Sequence, residues 1–204
     1  MIKHFQVGVT GGIGSGKTVV TKIFTVMGIP VYDSDSRAKQ LMSEDPELKS
    51  EIIRAFGDES YGVHGLDRKF IAAKVFNNPA ELERLNQMVH PKVGRDYSKW
   101  LTEQTSNIVI NEAALLYEKD IAKRLNFLIV VTAPDIIRIE RVLKRDNRTE
   151  SQIREIISNQ WPQEKSSLLA DAVIVNDNTS ALIPQVLDIY ETIKRKASLQ
   201  NKLA

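Results

Sequence analysis

The sequence predicts an α/β protein in which helices cover both faces of a mainly parallel sheet. Short apolar runs at residues 5–9, 108–110, 127–131 and 173–175 alternate with longer stretches of helical periodicity. The run at 127–131 is nearly continuously apolar, as expected of a strand that is buried on both faces. A glycine-rich stretch at residues 11–18 follows the first run, which is typical of the turn between the first strand and the first helix in such folds.

That stretch, Gly-Gly-Ile-Gly-Ser-Gly-Lys-Thr, fits the phosphate-loop pattern of Gly, four free positions and Gly-Lys-Ser/Thr. Glycines let successive backbone N–H groups curve around a polyphosphate, and the following helix adds unpaired amides and the positive end of its dipole. The lysine can reach the β- and γ-phosphates, and the threonine hydroxyl can ligate Mg²⁺. The alternative is a glycine-rich turn before an ordinary helix. The full spacing and both flanks favour a nucleoside triphosphate site.

Composition narrows the class of protein. The 204 residues contain no cysteine, which excludes a disulfide framework, a thiolate nucleophile and a cysteine-ligated zinc site. The net charge of +2 is too small to imply nucleic acid as a partner. No apolar run approaches the length of a membrane span, and the chain enters its first strand almost at once. We therefore expect no signal peptide, no membrane partner, and a cytoplasmic enzyme or switch.

Carboxylates follow two of the predicted strands. Asp33 and Asp35 come after a short strand at 29–32 and before a helical pattern, where aspartate is a favoured N-cap. The end of a strand beside a phosphate loop is also where α/β folds place catalytic groups, and the pattern alone leaves both interpretations open. Glu112, shortly after the strand at 108–110, is a candidate ligand for Mg²⁺, directly or through water.

Residues 46–104 contain helical patterns and short turns without a long strand, which predicts a helical insertion that selects the substrate. Within it we expect His90 and Pro91 to interrupt a helix, because proline disfavours helical geometry in the residue before it. His90 is more often a packed histidine at a helix junction than a catalytic base. At the other end of the chain, we expect the lysine-containing tail from Lys194 onward to fray.

A stripe of arginines marks the helical pattern after residue 134: Arg138, Arg141, Arg145 and Arg148. At about 100° per residue the four fall within about 80° of the helix surface. The apolar face predicted opposite them comprises Ile136, Ile139, Val142 and Leu143. Glu140 and Asp146 lie outside the stripe, which predicts arginines without partners. The stripe is either a solvated basic face or a phosphate site, and the guanidinium fork favours phosphate.

With these residues in place, the chain resembles the dephospho-coenzyme A kinases, within the phosphate-loop kinases of nucleotides and small metabolites. Residues 10–18 are similar to that family's loop, and residues 33–35, Asp-Ser-Asp, to its Asp-Ala-Asp signature, with Ser34 as a departure. Residues 115–118 match its Pro-Leu-Leu-Phe-Glu segment, except that Ala114 stands where proline is usual. Further motifs matching in order are Phe56-Gly57, Leu66-Asp67-Arg68, Val75-Phe76, Leu85-Asn86 with His90-Pro91, Arg141, Arg145-Asp146, Gln160, Glu164-Lys165, Ala170-Asp171 and Asn176.

The resemblance implies phosphoryl transfer from ATP to the ribose 3′-hydroxyl of dephospho-coenzyme A, the last step of coenzyme A biosynthesis. It also implies a phosphate-loop kinase fold in three parts. These are a core at about 1–35, 105–134 and 170–197, a helical coenzyme A-binding insertion at about 36–104, and a lid at about 135–169. We expect a monomer or weak homo-oligomer whose ligands are ATP, Mg²⁺ and dephospho-coenzyme A.

The resemblance further implies residue roles. Asp35 would accept or orient the hydroxyl proton, with Asp33 as its rival, and Lys17 and Arg141 complete the catalytic set. Thr18 would hold Mg²⁺, with Glu112 as a second candidate. The residues expected to bind ATP are Gly12, Ile13, Gly14, Ser15, Gly16, Lys17, Thr18, Val19 and Arg145. Those expected to bind the acceptor are Thr10, Asp33 and His90.

Three other classes stay open at this point: another small-molecule kinase, a nucleotide-dependent switch or GTPase, and a nucleic-acid-binding module. A GTPase would need an Asn-Lys-x-Asp motif after a late strand, for which residues 175–177, Val-Asn-Asp, are a poor substitute. The nucleic-acid class has only the arginine stripe in its favour.

Overall fold

The computed structural model describes residues 4–75, 78–114 and 125–203. The chain forms two compact units. The first unit comprises Met1–Asp33 and Gln104–Ala204, and the second comprises Ser34–Glu103. Each unit has a buried apolar cluster of its own.

The elements of the described residues are as follows. The strands are β1 (Phe5–Thr10), β2 (Val31–Asp33), β3 (Tyr61–Gly62), β4 (Gly65–Leu66), β5 (Ile108–Glu112), β6 (Phe127–Thr132) and β7 (Ala172–Val175). The α-helices are α1 (Lys17–Val26), α2 (Ser34–Glu44), α3 (Pro46–Phe56), α4 (Arg68–Val75), α5 (Pro79–Thr102), α6 (Asp135–Arg145), α7 (Glu150–Asn159), α8 (Gln163–Leu168) and α9 (Leu182–Leu203). None of these helices is long and apolar enough to cross a membrane.

The first unit is built on a five-stranded sheet in the order β2-β5-β1-β6-β7. Each neighbouring pair of these strands is parallel. β1 is therefore central, and the loop that follows it opens at the middle of the carboxyl edge, where α/β folds place their ligands. The predicted fold class, a mainly parallel sheet covered by helices, is confirmed.

The core of the first unit explains why these segments become strands. Val7, Val9 and Ile129 are fully buried, and they pack in one cluster with Phe24 of α1 and with side chains of α9. β-branched residues fit a pleated surface that is covered on both sides, and burying each one contributes about 1.5–3 kcal/mol. This packing fixes the start of α1 against the end of β1, which positions the loop between them.

The second unit packs α3 against α5 around Leu48, Ile52 and Val89. Pro91 lies inside α5, which runs unbroken through it, so the predicted interruption at His90 and Pro91 is wrong. Proline inside a helix costs about 3 kcal/mol, but side chains on both sides of it are held by tertiary contacts. Val89 is buried, and Lys92 Nζ, also buried, donates to Glu47 Oε2 at 2.6 Å.

The C-terminal helix also differs from expectation. α9 continues to Leu203, so the prediction of a frayed tail from Lys194 onward is wrong over the described residues. Ile193 and Ala197 are buried in the core of the first unit, which supplies the packing that the sequence pattern did not reveal. Helices in proteins gain most of their stability from such packing and not from propensity.

Candidate active site

The loop between β1 and α1 has a backbone that only glycine adopts easily. Gly14 has φ +75° and Gly16 has φ +97°, both in the left-handed region. Gly16 is the N-cap of α1, and no side chain of the described residues caps that helix start. The first amides of α1 therefore face the loop, as in an anion site at a helix N-terminus.

Lys17, the first residue of α1, folds back over this loop. Its Nζ donates to the carbonyl oxygen of Gly11 at 2.7 Å. The ammonium group thus lies at the mouth of the loop on a contact that a phosphate oxygen can replace, because charge-assisted bonds to phosphate are the stronger ones.

Glu112 is the last residue of β5 and is 5% exposed. Its Oε1 accepts from the Thr18 hydroxyl at 2.7 Å and its Oε2 from the Thr21 hydroxyl at 2.6 Å. The parallel register places Glu112 opposite Val9 of β1, which brings it to the foot of α1. A hydroxyl and a buried carboxylate in contact form the hard oxygen set that Mg²⁺ prefers when phosphate oxygens and water complete its shell.

Within the part of the chain that the structure describes, carboxylates of the protein alone do not form a metal site. The described residues contain no group of three or more His, Cys, Asp or Glu side chains that could hold an ion by themselves. Mg²⁺ is commonly bound by one or two protein oxygens together with substrate phosphates, so Thr18 and Glu112 fit an ion that arrives with a nucleotide.

Arg138, in the first turns of α6, is buried against the phosphate loop. Its Nε donates to Ile13 O at 2.9 Å and its Nη2 donates to Gln160 Oε1 at 3.1 Å. Its Nη1 pairs with Asp135 Oδ1 at 2.8 Å. Gln160 Oε1 also accepts from the Ile13 amide at 2.9 Å. The backbone at Ile13, which we call the crown of the loop, is therefore hydrogen-bonded to two segments that lie far from it in sequence.

Arg141 is held by the loop and by the turn after β7. Its Nη1 lies 3.4 Å from Gly14 O and 3.3 Å from Ser15 O. Its Nη2 donates to Asn176 Oδ1 at 3.0 Å and to Asn178 Oδ1 at 2.5 Å. Asn176 Nδ2 in turn donates to Ser15 O at 2.8 Å, so the same carbonyl is held from two sides.

Arg145 and Arg148 share one partner, Asp146. Arg145 Nε donates to Asp146 Oδ1 at 2.8 Å, and Arg148 pairs with Oδ2 of the same carboxylate. The hydrogen bond from Arg145 lowers the pKa of Asp146 below its usual range, with Arg148 adding to the effect. The same hydrogen bond raises the pKa of Arg145. The expectation that the arginines lack partners is therefore wrong, because Asp146 lies within reach of two of them.

The predicted apolar face of α6 is also only half right. Ile139 and Val142 are buried, and they pack in a cluster with Ile153 of α7. Ile136 is 70% exposed and Leu143 is 42% exposed. The buried side of the helix is therefore rotated toward Arg138, because the phosphate loop offers a polar surface that accepts a guanidinium.

The remaining predicted site residues fall in both units. Thr10 ends β1, is fully buried, and donates its hydroxyl to Ala114 O at 3.1 Å. Asp33 ends β2 and is paired in register with Glu112, at the carboxyl edge of the sheet. Asp35 lies in the first turn of α2, and His90 lies in α5, both in the second unit. The predicted motif at residues 115–118 lies outside the described residues.

The sequence did not predict that three side chains contact the loop. Gln160 and Asn176 were named only as part of the resemblance, and Arg138 only as one member of the arginine stripe. Their common signal is a polar side chain beside the end of a helix or strand, where it can reach a backbone group of another segment. Gln160 follows α7 and Asn176 follows β7.

Comparison with known proteins gives consistent results. A family model described as dephospho-CoA kinase matches residues 5–181. A dephospho-CoA kinase from Porphyromonas gingivalis is 37% identical over 191 residues, covering 93% of this chain and 95% of the relative. One from Chlorobium luteolum is 41% identical over 181 residues, covering 85% of this chain and 83% of the relative.

Solved structures agree with the fold. A crystal structure from Thermus thermophilus is 30% identical with a TM-score of 0.83, and it covers 93% of this chain and 98% of its own. A dephospho-CoA kinase from Campylobacter jejuni, at 20% identity and a TM-score of 0.60, covers 93% of this chain and 97% of its own. At 20% identity, the similarity to the Campylobacter jejuni structure supports the fold alone.

Proposed function

The chain belongs to the dephospho-CoA kinase family, and from this premise we propose how its residues carry out the reaction. The enzyme transfers a phosphoryl group from ATP to the ribose 3′-hydroxyl of dephospho-CoA, giving CoA and ADP in the last step of CoA biosynthesis. The observation that carries the proposal is the phosphate loop at the central strand, with Lys17 over its mouth and the Thr18–Glu112 contact at its foot.

The donor is proposed to bind along the loop from Gly12 to Val19. The amides at the start of α1 and the ammonium of Lys17 would neutralise the β- and γ-phosphates, because both groups are already directed at the loop. Since the transition state is loose and spreads charge over the transferred oxygens, the Lys17 ammonium, which can reach the γ-phosphate, stabilises it more than the ground state.

A magnesium ion is proposed to accompany the nucleotide, held by Thr18 and, directly or through water, by Glu112. When bound, the ion supplies positive charge to the β- and γ-phosphate oxygens. The two threonines that now donate to Glu112 keep its carboxylate oriented, so the site is built before a nucleotide arrives.

Asp35 is proposed to take the proton of the acceptor hydroxyl as the bond from that oxygen to the γ-phosphorus forms. The bond from the γ-phosphorus to the bridging oxygen breaks, and the electron pair leaves with ADP. Asp33 is the rival for this role, because it ends β2 at the carboxyl edge of the sheet. Thr10, Asp33 and His90 are proposed to contact the acceptor.

Arg141 is proposed to complete the charge neutralisation from its present place against the loop, and Arg145 from a lid at residues 135–169. Arginines that reach a transferring phosphoryl group can contribute about 10³-fold or more to the rate. Arg145 is the better placed of the two to move toward the nucleotide, because its side chain is 64% exposed while its partner, Asp146, is half-buried.

The experiment that tests the proposal is ADP release from ATP with dephospho-CoA beside a panel of other hydroxyl acceptors. Strong dependence on dephospho-CoA is expected, whereas acceptor-independent hydrolysis with a preference for GTP would support a switch. Lys17→Ala should lose most of the turnover while its melting temperature stays near that of the wild type. Near-normal turnover in the Lys17→Ala enzyme would show that the phosphate loop takes no part in the reaction.

The choice between the two aspartates has its own test. Asp35→Asn should lower kcat by about 10²–10⁴-fold with little change in ATP affinity, which is the usual worth of a general base. If Asp33→Asn is the inactive variant instead, the base is Asp33.

We also propose that the enzyme works in the cytoplasm as a monomer or weak homo-oligomer, with neither nucleic acid nor a membrane as a partner. The small net charge of +2 supports the part about nucleic acid. Sedimentation of the purified protein, and DNA binding at moderate salt, would test the two statements that can be measured in solution.

A further inference from the structure

We infer that Arg138 and Gln160 are positioning residues for the donor nucleotide: together they hold the Ile13 backbone so that the phosphate loop is shaped before ATP binds. Neither side chain is given a part in the reaction above. The inference rests on the proposed function only in taking the loop as the site of the ATP phosphates.

Side chains of Gln160 and Arg138 hold both peptide groups of Ile13. Gln160 Oε1 accepts from the Ile13 amide at 2.9 Å, and Arg138 Nε donates to the Ile13 carbonyl at 2.9 Å. These two groups belong to the peptide planes on either side of Ile13. Since Arg138 Nη2 also donates to Gln160 Oε1 at 3.1 Å, the two side chains fix each other as well as the loop. We call this group of contacts the crown clamp.

The clamp is shielded from solvent. Arg138 is only 3% exposed, so its guanidinium lies against the loop and not in solvent. A Cβ atom added to Gly12 would lie 2.2 Å from Arg138 Nη2 and 3.0 Å from Gln160 Oε1. The glycine at position 12 is therefore needed to admit the clamp. Buried hydrogen bonds made by a charged group are among the stronger ones, and they are costly to break.

The clamp sets the direction in which the loop amides point. Ile13 directly precedes Gly14, whose φ of +75° turns the chain toward the start of α1. Fixing the two peptide planes at Ile13 fixes how the chain enters that turn, and hence where the following amides point. A loop that is ordered in advance loses less conformational entropy when it binds a phosphate. Its affinity for the nucleotide is therefore higher.

The apolar contacts of the Ile13 side chain have a different effect from the hydrogen bonds of its backbone. The Ile13 side chain packs against the cluster of Ile139, Val142 and Ile153. Such contacts anchor the crown but are not directional, and they do not orient a peptide plane. Removing the crown clamp should therefore leave the loop attached but misaligned, which predicts weaker nucleotide binding in a protein that still folds.

The test uses Arg138→Met and Gln160→Met, with ADP affinity and steady-state kinetics as readouts. Each variant should raise the KM for ATP and the Kd for ADP by about tenfold or more, the equivalent of one buried charged hydrogen bond. The KM for dephospho-CoA should stay within about twofold, and kcat should change less than the KM for ATP, because the lost term is binding common to ground and transition states. The matched control is Arg154→Met, since Arg154 is exposed and pairs on its own helix with Glu150.

Two further measurements separate positioning from general damage. The double variant should lose little more ADP affinity than either single variant, because both belong to one hydrogen-bonded unit. In Arg138→Ala, added guanidinium ion should restore part of the ADP affinity, since the space left is shaped for that cation. Guanidinium should not improve Gln160→Met.

The outcomes are distinguishable. If Arg138→Met fails to fold, Gln160→Met decides, because it removes no buried charge. An unchanged Kd for ADP in a folded Gln160→Met enzyme, beside a weakened Lys17→Ala enzyme, would overturn the inference and leave the proposed function intact. If Lys17→Ala also binds ADP normally, the loop is not the donor site, and the proposed function fails with the inference.

Discussion

Arg138 and Arg141, inside α6, differ from Arg145 and Arg148, at and beyond its end, in what they contact. The inner pair, Arg138 and Arg141, donates to loop carbonyls of Ile13, Gly14 and Ser15. The outer pair, Arg145 and Arg148, meets a single carboxylate at the surface. Their spacing in the sequence made the four arginines look equivalent. Their partners divide them into arginines that build the loop and arginines that can leave their present contact.

The energies of the two kinds of contact explain why the division matters. The side chains of the outer pair are 64% and 45% exposed, and ion pairs of exposed arginines contribute about 0–1 kcal/mol, so the outer pair can exchange the half-buried Asp146 for a phosphate at small cost. A buried guanidinium that loses its acceptors costs several kcal/mol, about 3–5 in measured cases. The base of the proposed lid is thus tied to the loop, and we expect any closing motion to concern the residues beyond Val142.

The largest effect is expected from a substitution that pushes the phosphate loop away from Arg138. Gly14→Ala should weaken ADP binding by about 100-fold or more, because alanine is strained at φ +75° and its Cβ would lie 2.5 Å from the Arg138 carbonyl oxygen. Calorimetric titration with ADP measures it. Gly62→Ala is the matched control, since nothing lies within 4 Å of that position. Affinity within threefold of the wild type would show that the inner pair tolerates a displaced loop.

A smaller loss is expected from Arg141→Lys. Lysine keeps the charge but cannot span from the loop carbonyls to Asn176, so kcat/KM for ATP should fall by about 10–100-fold. Steady-state assays at saturating dephospho-CoA measure the change, with Arg154→Lys as the control. Full activity in Arg141→Lys would mean that charge alone matters at this position and that the fork geometry is dispensable.

The smallest effect concerns Asp146, the anchor of the outer pair. Its pKa is lowered in the folded protein, so its contribution to stability is present above the unfolded pKa of about 4 and is lost as pH falls through the folded value. Asp146→Asn should therefore cost about 1 kcal/mol or less at pH 7, a difference that shrinks below about pH 4. Thermal melts of both proteins across pH 2–7 check this, and a difference independent of pH would rule the linkage out.

The fold and the loop could be predicted because their signals are local. The apolar run at residues 127–131 predicted a strand buried on both faces, and the structure forms β6 there with its first five residues buried. The phosphate loop carries its own spacing. Glu112 was a candidate from its place after a strand, and the structure puts its carboxylate on the Thr18 hydroxyl.

What failed depends on contacts between distant residues. The continuity of α5 through Pro91 rests on tertiary packing, which overrides a local rule. The partners of Arg138 and Arg141, Gln160 and Asn176, lie 22 and 35 residues away along the chain. A helical wheel shows which way a side chain points but not what it meets.

The division of the arginines is tested most directly by measuring ADP affinity and kcat in Arg138→Met beside Arg145→Met. Arg138→Met should weaken ADP binding by about tenfold or more, with a smaller change in kcat. Arg145→Met should leave ADP affinity within about twofold and lower kcat by about 100-fold or more, as expected of a group that meets the phosphates only during transfer. The same ratio of binding loss to rate loss in both variants would contradict the account.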